Sequence, residues 1–340
     1  LKIHIIIPSS TGHHELSKLG RLAEEYGLDC LWLENSIRSR DQFVNLSYLA
    51  RDTEKIRIGP IAISPFEHHP VRLGMLLLTM NDISKGRATI ALGAGGGGTT
   101  QYFGIATPRP VAAVRECLEI IKGMNKNREF SYEGTVYKVK KVVGKWDYSL
   151  GMLYIAANRP KMLSVACRIA DGIMVTDMPI KQIEAVSKFV KKELEKAGKD
   201  AVAFRLNNFF AWHVKESYEE AVAEARRNLI VRALPIDLGY PAEYIGLTDE
   251  DLKIIKDKRM KLVKLFLEGR QPEGLPEHIM DAITEELTIT ASIKDADRCV
   301  ERLRAFEKAG LNEIALKLHE NAKQDIKFLG EKVQPHLIKD

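Results

Sequence analysis

Residues 56–104, IRIGPIAISPFEHHPVRLGMLLLTMNDISKGRATIALGAGGGGTTQYFG, decide the fold. The run 56–63 is apolar and β-branched without alternation, the pattern of a parallel strand covered on both faces, and Ser64-Pro65 stops it. Pro70 suits the first turn of a helix, for which Leu73, Leu76, Leu77 and Met80 supply an apolar stripe. Gly86 serves as its left-handed stop. A second buried strand, 88–92, runs into Gly93-Ala94-Gly95-Gly96-Gly97-Gly98. Such a loop, at the carboxyl end of a strand, lets the main chain approach a flat or phosphorylated ligand that any Cβ would hold off.

Outward from this unit the same alternation repeats. Before it come a strand at 3–7 with the loop Pro8 to Gly12, a helix at about 14–26 closed by Gly27, a strand at 31–33 ending in Glu34-Asn35-Ser36, and a helix at 42–53. After it come a helix ending near Lys126, a strand at 153–157, a helix to Ala170, a strand at 172–176, a helix at 180–197 and a strand at 205–214. The chain closes with a helix at 295–309, a strand at 313–318 and a helix at 323–337. Eight strands alternating with helices predict an α/β fold, a (β/α)8 TIM barrel, as one domain over 1–340. Two insertions interrupt it. Residues at about 128–150 alternate around a Glu133-Gly134 turn and read as a small β-hairpin outside the barrel. The segment 218–287 is helical and charged, broken at Pro235 and Gly239-Tyr240-Pro241, and reads as an inserted helical segment before the last helices.

Composition narrows the function. A net charge of +5 is spread over helices in which Lys and Glu interleave, as in VKKELEKAGKD, and the aromatic residues do not cluster with it, so a nucleic-acid surface is not expected. The four cysteines, Cys30, Cys117, Cys167 and Cys299, are far apart in apolar contexts, which predicts buried reduced thiols and no metal site. With no apolar run near 18 residues and no signal-peptide pattern, neither a membrane span nor export is expected, and the expected location is cytoplasmic. Gly93, Gly95 and Gly98 satisfy a dinucleotide fingerprint, but Pro108 and Pro110 precede any long helix and no acidic residue ends a strand about 20 residues on. A Rossmann reading is therefore set aside.

The run HHPVRLGMLLLTMNDISKGRATIALGAGGG resembles the bacterial-luciferase-like flavin and deazaflavin oxidoreductases, and YIAANRPKMLSVACRIADGIMV is similar to a later strand–helix–strand unit of that family. Residues 115–121 and 287–316 continue the likeness, which is greatest to the methylenetetrahydromethanopterin reductase-like branch. The resemblance implies an enzyme that passes a hydride between coenzyme F(420), an 8-hydroxy-5-deazaflavin, and a small organic substrate such as a methylene-tetrahydromethanopterin-like pterin. The alternative cofactor is FMN, in a luciferase-like monooxygenase, and a further alternative is a non-catalytic cofactor-binding barrel. A homodimer or higher homo-oligomer is also implied.

Site residues follow partly from the barrel, whose carboxyl-end loops carry the chemistry. Those ends offer Ser9, Glu34, Asn35, Ser36, Ser64, the glycine loop, Asn158, Arg159, Thr176, Asp177, Trp212, His213 and His319. Few strong acids or bases are needed where a cofactor carries the chemistry. Carried over by position, the resemblance implies a non-proline cis peptide at Ile61-Ala62 backing the redox ring. Ser64, Gly93, Gly95, Gly96 and Gly97 are expected beside it, and Ala157, Asn158 and Arg159 at the start of the next helix are expected around a phosphate. Thr176 and Asp177 are expected in the same pocket. Glu34, Asn35 and Ser36 are the candidate catalytic trio. Departures accompany the likeness: Asn35-Ser36 stands where deazaflavin-dependent relatives often have Asp-His, Gly96 or Gly97 where dehydrogenase relatives have Glu, and Ile6 or a neighbour where the reductases keep a first-strand Glu. His68 and His69 are expected to be structural at a helix entry, and His13 and His14 to lie at the surface.

Overall fold

The alternation is built as read, with one strand more. A computed structural model describes residues 1–36, 39–96, 99–100, 103–237 and 242–337. In order these are β1 (Lys2–Ile7), α1 (His13–Glu25), β2 (Cys30–Glu34), α2 (Gln42–Asp52), β3 (Arg57–Ile63), α3 (Pro70–Ile83), β4 (Ile90–Leu92) and α4 (Pro110–Lys126). A hairpin of β5 (Glu129–Glu133) and β6 (Lys138–Val143) precedes β7 (Leu153–Ala156), α5 (Pro160–Ile169), β8 (Gly172–Thr176), α6 (Ile180–Lys196) and β9 (Arg205–Lys215). The helices α7 (Tyr218–Arg227), α8 (Leu229–Asp237), α9 (Asp249–Leu267) and α10 (Glu277–Leu287) form the insert. The chain ends with β10 (Thr288–Ser292), α11 (Ala296–Ala309), β11 (Glu313–Lys317) and α12 (Ala322–Phe328).

Eight parallel strands close the ring in the order β1-β2-β3-β4-β7-β8-β9-β11, with β11 back on β1. The hairpin is a separate antiparallel pair. The strand not anticipated is β10, which lies outside the ring and pairs only with the far half of β9, from Thr288 opposite Ala211 to Ser292 opposite Lys215. Its short β-branched run, TIT, follows α10 without a break, so helical periodicity upstream masked it. The expected last helix over 323–337 is also corrected. Helix α12 stops at Phe328, a π-helical turn follows at Leu329–Val333, and a 3-10 turn holds Gln334–His336, where Pro335 removes a helical N–H.

Side chains inside the ring form one small core of Ile6, Cys30, Trp32, Ile61, Ala91, Tyr154, Met174 and Ala315, while the outward strand faces pack on the helices in a much larger one. The insert has its own core, centred on Leu229, Ile230, Ile255, Leu262, Ile279 and Ile283. All four cysteines are buried and unpaired. The amino-terminal end of the ring is plugged by polar groups. Arg57 reaches Asp29 and Glu313, the latter at 3.2 Å, and Tyr154 donates its hydroxyl to Glu313 at 2.8 Å. Trp32 Nε1 donates to His4 Nδ1 at 3.0 Å. His4, Asp29 and Glu313 offer ligand atoms within 4.8 Å of one another, but the Arg57 guanidinium already supplies the positive charge they share. The opposite, carboxyl end is where the wall opens.

Candidate active site

A cavity of about 880 Å³ lies at the carboxyl ends of β3, β4, β7 and β8 and the first turns of α4 and α5. One side of it is almost free of side chains, because Ala62, Gly93 and Ala156 stand next to one another. A Cβ on Gly93 would sit 3.3 Å from that of Ala62 and 3.5 Å from that of Ala156, so only glycine keeps this wall flush. Gly95 has a φ of +86°, a conformation L side chains rarely adopt, and a Cβ there would lie 2.5 Å from Thr100 Cγ2. The Ile61–Ala62 peptide is cis, and the β3–β4 register shifts between Ile61 and Ile63.

This kinked wall is held from behind by Asn35. Its backbone N–H donates to Ile61 O at 2.7 Å, and its amide donates to Ala62 O at 3.0 Å and to Glu67 at 2.7 Å. Glu67 also accepts from Thr99 Oγ1 at 2.7 Å. One carboxylate therefore ties the end of β2, the loop after β3 and the glycine loop together. Another part of the lining is polar. Asn158 Oδ1 accepts from the Thr176 N–H at 2.8 Å, fixing the ends of β7 and β8, and Arg159, Pro160 and Lys161 bring the start of α5 into the wall. A helix N-terminus next to two cationic side chains favours an anion.

Charged side chains are paired at several of the carboxyl strand ends. Lys317, on the inward face of β11, donates to Glu34 at the end of β2. Burial pulls the Lys317 ammonium below its ordinary pKa, and Glu34 opposes that pull. Arg232 of α8 donates to Asp177 at 2.6 Å, both side chains being 4% exposed. His213 Nδ1 lies 2.7 Å from Glu224, and its ring stacks on His319 at 4.5 Å. Burial lowers the pKa of both imidazoles, with Glu224 opposing the shift at His213.

Of the residues expected here, Asn35, Ala62, Gly93, Gly95, Gly96, Ala157, Asn158, Arg159 and Thr176 line the cavity. Gly97 lies outside the described residues. Ile61 faces the barrel core, where it packs on the inner cluster. Ser64 is fully buried and accepts from the Phe66 N–H at 3.2 Å, and Asp177 is taken by Arg232, so neither reaches the cavity wall. Ser36 is half-buried and outside the lining, while Glu34 stands just inside the ring mouth. The site residues that sequence reading did not single out are Glu67, Lys161, Arg232 and Lys317. Lys317 carried a readable signal, a lysine closing an otherwise apolar strand whose neighbours face the ring. Among the histidines, His69 caps α3 by accepting from the Val71 N–H at 3.3 Å, and His13 packs on Tyr48 at 4.4 Å.

The family profile of luciferase-like monooxygenases matches residues 5–313. A 5,10-methylenetetrahydromethanopterin reductase of Archaeoglobus fulgidus is 27% identical over 331 residues, covering 96% of each chain. The solved coenzyme F(420)-dependent tetrahydromethanopterin reductase of Methanopyrus kandleri superposes with a TM-score of 0.84 at 22% identity, covering 99% of each chain. An F(420)-dependent secondary alcohol dehydrogenase, solved with an F(420)-acetone adduct, superposes with a TM-score of 0.77 at 16% identity. With a match spanning nearly its whole length and a kinked third strand facing a glycine loop at the open end of a closed barrel, this chain belongs to the luciferase-like monooxygenase family.

Proposed function

We propose that this protein is a coenzyme F(420)-dependent oxidoreductase that transfers a hydride to or from a small organic substrate, with a methylene-tetrahydromethanopterin-like pterin as the leading candidate. The observation that carries the reading is the cavity itself, whose lining combines a flush wall of Ala62, Gly93 and Ala156 with Asn158, Arg159 and Lys161. A flat apolar ring with an anionic tail matches both kinds of lining. The deazaflavin fits the residues present, since the volume is ample and side chains are missing where the ring would lie. When bound it supplies the hydride chemistry.

The chain's own residues bind and orient. Ala62, Gly93 and Gly95 would hold the ring face, with Asn35 and Glu67 keeping that wall in place. Asn158, Arg159 and the first turn of α5 would hold the phosphate. Arg232 of the insert is tied to Asp177, the residue after Thr176 of the cavity lining. A homodimer in the cytoplasm goes with this reading, and light scattering of the purified protein tests the assembly.

The cofactor assignment is tested by titrating the purified protein with coenzyme F(420) and, separately, with FMN, following absorbance and fluorescence. Saturable binding of coenzyme F(420) at micromolar concentration, with FMN much weaker, is expected. Tight binding of FMN alone would reject the assignment in favour of a monooxygenase.

A further inference from the structure

The residues facing into the ring change character near its open end. In β2, Cys30 and Trp32 point inward and are followed in phase by Glu34. In β11, Glu313 and Ala315 point inward and are followed by Lys317. The strand between them, β1, places Ile6 opposite both Trp32 and Lys317. The Glu34–Lys317 contact therefore spans β1 on its inner side, just above Ile6 and one residue along from Asn35, which lines the cavity. The two partners are unequally placed. Lys317 has 8% of its side chain exposed, and Glu34 has 35%.

A buried ion pair gains little stability over apolar packing, because taking two charges out of water offsets their attraction. Nothing in the packing calls for a charged pair, since the layer below is Ile6, Trp32 and Ala315. The direct contact gives a proton a short path between ammonium and carboxylate, and the more exposed member lies next to the cavity.

We propose that Glu34 is the catalytic acid–base group of the site and that Lys317 is the positioning residue that supplies and recovers its proton. This rests on the oxidoreductase reading above and narrows its substrate class. The substrate is one whose heteroatom changes protonation when the neighbouring carbon gains or loses hydride, such as a carbonyl and its alcohol, or a carbon bridged to nitrogen. In the reductive direction the carbon of a C=X bond takes up a hydride from the reductant, the reduced deazaflavin. The π pair of C=X forms a new X–H bond with the proton of the Glu34 carboxyl. That proton reaches Glu34 from the Lys317 ammonium, so the step leaves a carboxylate and an amine, and the amine then takes a proton from water to restore the pair. Oxidation runs the same steps backwards. The charged and titratable groups around Lys317 are Glu34 from β2, Arg232 from α8 and His319 beyond β11, with His213 and Lys215 of β9 behind His319. Among the described residues Glu34 is the anion in contact with the ammonium, and Arg232 is held by Asp177.

The test uses the full chain labelled with 15N-lysine, with and without coenzyme F(420), in wild-type, E34Q, E34D, K317M and K317R forms. Side-chain NMR assigns Lys317 by the signal missing from K317M and follows its titration. Removing the carboxylate is expected to lower the Lys317 midpoint by at least about one pH unit, since one nearby charge shifts a pKa by one to three. Turnover is assayed with methylenetetrahydromethanopterin and with acetone as probes. E34Q should lose about 10²- to 10⁴-fold in kcat with little change in coenzyme affinity, the range expected of a lost acid–base group. E34D should recover part of the loss, and K317M should displace the pH–rate profile while K317R moves it the other way. An E34Q enzyme within threefold of wild type, or a Lys317 midpoint that E34Q leaves in place, overturns the proposal alone. A wild-type protein that binds no coenzyme F(420) overturns the oxidoreductase reading and this proposal with it. If the coenzyme binds and neither probe reacts, the titration decides.

Discussion

Glu67 is the residue on which the cavity wall hangs. Its carboxylate accepts from Asn35 and from Thr99, and both bonds are charge-assisted. E67A removes them together and leaves two donors to find water, a loss of about 1–3 kcal/mol. The expected outcome is coenzyme affinity weakened by about tenfold or more with the far-ultraviolet circular dichroism of the barrel unchanged. An E67A protein that binds as tightly as wild type would show that the bracket does not shape the wall. Gly95 makes a second case, because alanine there meets both a left-handed φ and Thr100. G95A should cost about 1–2 kcal/mol from the backbone alone, measured by thermal unfolding, and should weaken coenzyme binding through displacement of Thr100. Of these two residues the sequence announced only one. Gly95 stands in a tract whose composition points to close approach of the main chain. Glu67 is one acid among many, and its role depends on a contact to Asn35 across 32 residues that no local pattern encodes. Lys317 and Glu34 lie 283 positions apart, and only the closed ring brings them together.

At the scale of elements, the hairpin after α4 shows how one helix residue seats an insertion. Glu116, fully buried, accepts from the Thr135 N–H at 2.8 Å and hydroxyl at 2.6 Å, and from the Val136 and Tyr137 N–H groups at 2.9 Å each. Burial by itself would raise the Glu116 pKa, but the hydrogen bonds from Thr135, Tyr137 and Val136 outweigh it and hold it at about 2. The sign follows: a carboxyl with a folded-state pKa below its unfolded value near 4.5 stabilises the fold above that value. Its contribution, of order 2–3 kcal/mol, is lost as pH falls from about 5 towards 2. Hydrogen exchange at Thr135, Val136 and Tyr137 should speed up across that range relative to intrinsic rates, and in E116Q should already be fast at neutral pH. Protection that stays level from pH 6 to 3 would remove Glu116 from the role. Helix α1 was legible because apolar spacing and burial coincide there, and the ring strands because each is a short, largely apolar run. Strand β10 was not, since its pairing partner is the overlong end of β9 and nothing within TITAS says that such an edge exists. The break after α12 was hidden for a related reason. Its apolar positions continue through Leu329 and Val333, while Gly330 lets that turn close on Tyr26.

Across the whole molecule, two buried ionic sets sit at opposite ends of one barrel and do different work. At the amino end Arg57 joins β3 to the residue before β2 and to β11, and it donates to Tyr154 of β7 at 2.9 Å, so it ties four parts of the ring. For Asp29 burial would raise the pKa, but His4, Arg57 and Lys2 hold it far below the carboxylate range. At the carboxyl end Arg232 ties α8 of the insert to Asp177, the residue after β8, and lies over the Phe209 ring at 5.8 Å. The insert keeps a separate hydrophobic core, so this contact joins two packed bodies within one chain. Removing either cation strands a buried carboxylate, at about 3–5 kcal/mol. The consequences should differ in reach. R57M is expected to lower the stability of the entire ring, with a single lower unfolding transition. R232M should instead free the insert, so that amides of α8, α9 and α10 exchange faster while those of β1, β2 and β11 keep their protection. Hydrogen exchange read segment by segment distinguishes the two, because local opening reports the stability of the part that opens. If R232M accelerates exchange in the ring as much as in the insert, barrel and cover unfold as one unit.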